Sequence, residues 1–166
     1  MGRGEWVGGR CAGLGAGGGE VVGMHGKCPS GVATSSGSIH PDGARANVVI
    51  LCVRDPQLDQ TVDGVIIAAN DGRIQRDTVI LHTSAIAEPV GLGVLARAGV
   101  PGGTFHPLVP FSDPDVSAEL LRKGWIGIDG DNAAKNASRR LAGHLGARTL
   151  EIPPGKKPTY HAAAVI

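Results

Sequence analysis

The chain has 166 residues, a net charge of +1 and only 3% aromatic residues. That length allows one domain with a sizeable core, and the near-neutral charge argues against nucleic acid or an anionic membrane as a partner. No run of about 18 apolar residues offers a membrane span. Arg3 and Arg10 are followed by no apolar segment, so no signal peptide is visible. Cys11, Cys28 and Cys52 match no zinc or CxxC spacing, as expected of a reducing cytoplasm.

Residues 1–19 approach low complexity: 12 of the 27 glycines fall before residue 32, which argues against a regular element there. Glu20 to His25 reads as a short strand, and 26–46 as a Gly/Ser/Pro loop region. Asn47 to Val53 (NVVILCV) is a continuous apolar run with polar flanks, the pattern of a strand buried on both faces. Pro56 to Asn70 predicts a helix with Leu58, Val62, Val65, Ile66 and Ala69 on one face. Asp55 before Pro56 reads as its cap. Thr78 to His82 is a second buried strand. Glu88 to Ala98 is a glycine-containing helix, and Ser117 to Lys123 a short one. Trp125 to Ile128 is a strand. Asp131 to Leu145 is the best helix, with an apolar stripe at Ala134, Ala137, Leu141 and Leu145 and Gly146 as its end. Thr149 to Ile152 closes the strands. Pro158 suits a first helical turn, and Ala162 to Ile166 read as a helix that has barely begun, so a larger protein with further helix is expected.

Strands alternating with helices predict an α/β fold with a mostly parallel sheet. Expected divisions are a degenerate or disordered start at 1–19, a dinucleotide-binding domain at 20–155 and the beginning of a second, helical domain at 156–166. Ligands of such sheets bind beyond the carboxyl ends of the strands. That directs attention to His25 and Lys27, Arg54 and Asp55, His82, Thr83 and Ser84, and His106. Gly13, Gly15 and Gly18 satisfy GxGxxG, whose glycines let a backbone approach pyrophosphate. The motif needs a strand before it and a helix after it, yet Glu20 to His25 leaves no room for the helix. If residues 1–19 form no strand–turn–helix, the pyrophosphate lacks its helix N-terminus and dinucleotide binding should be weak or undetectable.

The motif order then resembles a family. Val49 to Asp55 (VILCVRD), Val79 to Ser84 (VILHTS), Phe105 to Leu108 (FHPL), Gly130-Asp131, Leu145 to Ala147 and Tyr160 to Ala164 (YHAAA) are similar to Rossmann-like oxidoreductases of unknown substrate related to 6-phosphogluconate dehydrogenase and pyrroline-5-carboxylate reductase. The resemblance covers 47–166 well and fades before residue 20. It implies NADP or NAD as cofactor, hydride transfer to a small carbonyl or imine, and full-length relatives that dimerise through a helical domain.

The candidate residues follow. No acid lies between Val21 and Ser30 to meet a ribose 2′-hydroxyl, while His25 and Lys27 suit a 2′-phosphate, which favours NADP; a solvated turn is the alternative. Val53 and Arg54 would lie near the ribose, and His82 and Thr83 near the nicotinamide. Ser84 is a candidate for hydrogen bonding to the reacting groups or, equally, a strand-end cap; no GxSxG elbow supports a hydrolase. His106, read as a loop residue, is the candidate general acid, with His161 second; a structural role bonded to backbone is the alternative for both. Arg54, Ser84 and His106 are expected to share one cleft. Lys156 and Lys157 read as a solvated linker rather than a contact for substrate carboxylate or phosphate. Six scattered histidines show no metal spacing, and no metal is expected. A non-catalytic Rossmann-like binding module, or an inactive gene fragment, is the alternative to an enzyme.

Overall fold

The computed structural model describes residues 25–26, 35–36, 46–87, 90–111 and 113–164. Two residues, His25–Gly26 (β1), pair in parallel with Ser35–Ser36 (β2), a short strand inside the region expected to be all loop. The main sheet holds Val48–Leu51 (β3), Val79–His82 (β4), Gly102–Pro107 (β5), Trp125–Gly130 (β6) and Arg148–Glu151 (β7), in that spatial order. Three of its four pairings are parallel; β5 and β6 alone run antiparallel. The sheet is therefore mostly parallel, but β6 and β7 point opposite to β3–β5. The expectation that the strands at 48–53, 78–82, 125–128 and 149–152 all run parallel fails there: after the helix Pro114–Leu121 (α3) the chain returns beside β5 as its antiparallel neighbour.

The strand β5 is also a correction. A start on Gly102-Gly103 and an end on His106-Pro107 hide its periodicity, since glycine and proline are poor strand formers. His106 is a strand residue, not a loop residue.

Helices cover the sheet as the apolar patterns require. Asp55–Asn70 (α1) and Val90–Arg97 (α2) pack with Leu51, Ile80, Leu58, Val62 and Leu95 on one face. Asn132–Leu145 (α4) packs Ala134, Ala137, Ala142 and Leu145 against Leu81, Phe105, Ile126 and Ile128 on the other. Each fully buried Ile, Leu or Phe side chain there contributes about 1.5–3 kcal/mol. The best helix of the sequence is also the best capped. Asp131 accepts from the Ala134 amide at 2.8 Å, and Gly146 closes it with a left-handed φ of 70°. In α1 the cap position is Arg54, with no side-chain cap bond; Asp55 is already helical, so it favours the N-terminus by charge rather than by capping. Lys157–Ala164 (α5) follows β7, with Pro158 in its first turn. Among the described residues no helix is long and apolar enough to cross a membrane.

Candidate active site at the strand ends

Strand register builds a polar row across the sheet. His82 of β4 pairs with Thr104 of β5, and Thr104 with Asp129 of β6. Because the three are cross-strand neighbours, their side chains rise from the same face. All three are buried, and so is Lys157, which α5 lowers onto them. The Lys157 ammonium donates to Thr104 Oγ1 at 2.7 Å and to the Ala87 carbonyl, and lies 3.2 Å from Asp129 Oδ2. The Thr104 amide donates to Asp129 Oδ1 at 3.1 Å. The solvated-linker reading of Lys157 is therefore wrong, though Lys156 beside it is exposed. Two lysines after a Pro-Gly turn look like solvent, and nothing local shows that one lies over a buried carboxylate. A helical Lys157-x-x-Tyr160 spacing, which puts both side chains on one helix face, was the available signal.

One row further along, His106 and Gly127 are partners. Tyr160 of α5 lies over Gly127, where a Cβ would overlap its hydroxyl. Tyr160 Oη is 2.7 Å from His106 Nδ1, with the rings nearly perpendicular at 84°. Burial, with a smaller push from the Asp129 carboxylate, raises the Tyr160 phenol above its ordinary range. It stays protonated at neutral pH and can donate to His106 Nδ1 where that nitrogen carries no proton. It can equally accept from Nδ1–H of an imidazolium.

The other sequence candidates separate. His82 has both ring nitrogens engaged inside the protein: the Ser84 amide donates to Nδ1 at 3.2 Å, and Nε2 lies 3.2 Å from Thr104 Oγ1. Those partners place its proton on Nε2. Burial first, and the Lys157 cation second, bring its pKa down to about 4. His82 is thus buried in the interior with both ring nitrogens already engaged. Ser84 is buried, and its Oγ accepts from the amides of Ile86 and Ala87, which is the strand-end cap. Thr83 is half-buried and donates its amide to the Leu51 carbonyl, tying the ends of β3 and β4 together. Val53 packs partly buried against the core, and Arg54 is exposed at the start of α1. His161 is half-buried, and its Nδ1 is a buried atom with no hydrogen-bond partner among the described residues. Gly13, Gly15, Gly18 and Lys27 lie outside the described residues, as does the side chain of His25. Arg54, Ser84 and His106 stand at the ends of β3 and β4 and in β5; no hydrogen bond joins them to one another.

No protein-family model and no curated sequence matches the chain. Solved structures do match. A Bacteroides fragilis protein assigned as an NADP oxidoreductase superposes with a TM-score of 0.74 at 16% identity, covering 99% of this chain and 63% of that one. Pyrroline-5-carboxylate reductase of Coxiella burnetii gives 0.68 at 15% identity, over 97% of this chain and 60% of its own. Prephenate dehydrogenase of Aquifex aeolicus gives 0.68 at 10% identity, over 90% and 59%. The Rossmann-like fold is therefore shared with these oxidoreductases, and the chain spans about three-fifths of their length.

Proposed function

We propose that the chain is the dinucleotide-binding part of an NAD(P)-dependent oxidoreductase that reduces a small carbonyl or imine. The observation that carries this reading is the His106–Tyr160 pair in a fold shared with such enzymes. A general acid needs a proton it can release near neutral pH and a partner that tolerates both of its charge states. Tyr160 is that partner, since its hydroxyl either donates to or accepts from Nδ1.

The residues present suit a dinucleotide at the ends of β3 and β4, which Val53, Arg54 and Thr83 border; in α5 the orphaned His161 Nδ1 is a further polar atom that a ligand would satisfy. A bound nicotinamide would supply the hydride. His106 would hold the proton for the developing oxyanion or amide nitrogen, and Tyr160 would keep its ring oriented. Ser84, as the cap of the β4 turn, would shape the cleft rather than react. NADP is favoured over NAD by the absence of an acid between Val21 and Ser30 and by Lys27.

Calorimetric titration with NADPH and NADH tests the cofactor, with saturable binding of NADPH expected. No binding of either at millimolar concentration overturns the reading. With a responsive carbonyl or imine, His106→Gln should lower turnover by about a hundredfold and leave NADPH affinity nearly unchanged.

A further inference from the structure

Lys157 is the only buried lysine or arginine among the described residues, at 1% exposure. An ammonium has three N–H donors, and here there are three acceptors: Asp129 Oδ2, Thr104 Oγ1 and the Ala87 carbonyl. No donor is left for a phosphate or a substrate. Each acceptor belongs to a different segment: β6, β5 and the turn that follows β4. That turn is built by Ser84, whose amide also fixes the His82 tautomer. Thr104 in turn joins Lys157 to His82 Nε2.

We infer that Lys157 is a positioning residue: its ammonium ties α5 to Thr104, the partner of His82 Nε2, and pins the β4 turn through Ala87, so that seating of α5 and the arrangement of the β4 end form and break together. The role assigned to this arrangement rests on reading the strand ends as the reactive site. The tests below read His82 and α5 without dinucleotide, so failure of cofactor binding and failure of this coupling remain distinguishable.

The groups facing His82 are Lys157 from α5, Asp129 from β6, Asp55 at the start of α1 and His106 from β5. The two carboxylates favour the imidazolium; burial, Lys157 and His106 oppose it more strongly. When α5 lifts, His82 loses the Lys157 cation and part of its burial and its proton affinity rises toward the ordinary 6.5, whereas the seated form refuses the proton until about 4. Protons therefore drive α5 off the sheet as pH falls between those values, and add nothing outside them. Linkage over such a window allows at most a few hundredfold, and about tenfold or more is expected.

The first measurement is amide hydrogen exchange of the unaltered chain from pH 7 to 4, corrected for intrinsic rates. Amides of α5 should gain at least about tenfold in opening relative to those of α4. Parallel behaviour of α4 and α5 overturns the inference. The second is the nitrogen-detected titration of His82. In Lys157→Met the nearest opposing cation is gone while Asp129 remains, so His82 should titrate roughly one pH unit higher or more. Removing both charges, in Lys157→Met with Asp129→Asn, should return it close to the wild-type midpoint. An unshifted His82 in the single variant, or identical titrations in single and double variants, overturns the inference. If the single variant does not fold, the exchange measurement on the unaltered chain decides.

Discussion

Helices α4 and α5 are seated on opposite faces of one sheet by opposite means. Under α4 lie Phe105, Ile126 and Ile128, met by alanines and leucine with no charged group in the cluster. Under α5 lie Thr104, Asp129, His106 and Gly127, met by Lys157 and Tyr160. Apolar burial is non-directional and adds up with area. The polar seat depends on few contacts with fixed geometry, and its buried charges cost free energy whenever a partner is missing. The first device makes a permanent core. The second makes a specific placement, which is what a site at the strand ends needs from the element that crosses it.

Two glycines make that contrast measurable. Gly103 faces α4, and a Cβ there would meet the Asp129 carbonyl and the Ala134 Cβ. Neither can move without shifting the β6 backbone or α4. Gly103→Ala should cost at least about 3 kcal/mol, at the top of the overpacking range, and lower the single unfolding transition of the whole chain in a urea titration. Gly127 faces α5, and the atoms nearest its added Cβ all belong to the Tyr160 side chain. Gly127→Ala should cost about 1–2 kcal/mol, spent locally as α5 lifts while the sheet persists.

Tyr160 is the only tyrosine of the chain, so absorbance reports it directly. In the unaltered chain its phenol ionises above pH 10, and stability falls as pH rises beyond 10 because only the unfolded state releases that proton. In Gly127→Ala the phenol should return to its ordinary value near 10. A tyrosine still suppressed in that variant would show that α5 keeps its seat without the glycine.

A smaller effect is expected at the N-terminus of α4. Asp131 accepts from the Ala134 amide and from the Gly102 amide at 2.9 Å, joining helix and strand. Asp131→Ala should cost about 1–2 kcal/mol by thermal or urea unfolding, with His106 and Tyr160 unaffected. A change in the Tyr160 titration would mean that the two faces are not independent.

The same contrast explains what the sequence revealed. The α4 side was legible because hydrophobic periodicity and caps are local: the runs at 48–51 and 79–82, the alanine stripe of α4 and its Asp131 and Gly146 ends all stand where the pattern puts them. Candidate residues of the strand ends were also within reach, since parallel topology points there. The polar seat was not legible. It joins Thr104 to Lys157 across 53 residues and His106 to Tyr160 across 54, and a lysine's burial depends wholly on which carboxylate the fold brings beneath it. Strand β5, which carries both acceptors, is masked by Gly102, Gly103 and Pro107. The reversal of β6 is defined by its pairing with β5 across the α3 connection, information no single window holds.

The surface offers the last and smallest test, an ion-pair cluster that contrasts with the buried one. Glu151 bridges Lys135 at 2.8 Å and Arg139 at 2.7 Å, and all three are at least partly open to solvent. The hydrogen bond from Lys135, helped by the charges of both partners, holds the Glu151 carboxyl below its ordinary value. Its contribution is therefore present above the unfolded value of about 4.5 and is lost as pH falls through the lowered one. Exposed pairs are weak and screened by salt. Glu151→Gln should give the smallest melting shift of the set at pH 7, and that shift should vanish in about 0.5 M salt. The Lys157–Asp129 pair is buried and in direct contact at 3.2 Å, so the α5 exchange protection should be nearly independent of salt over the same range. Equal salt sensitivity in both measurements would place Lys157 in contact with solvent and remove the distinction between the two seats.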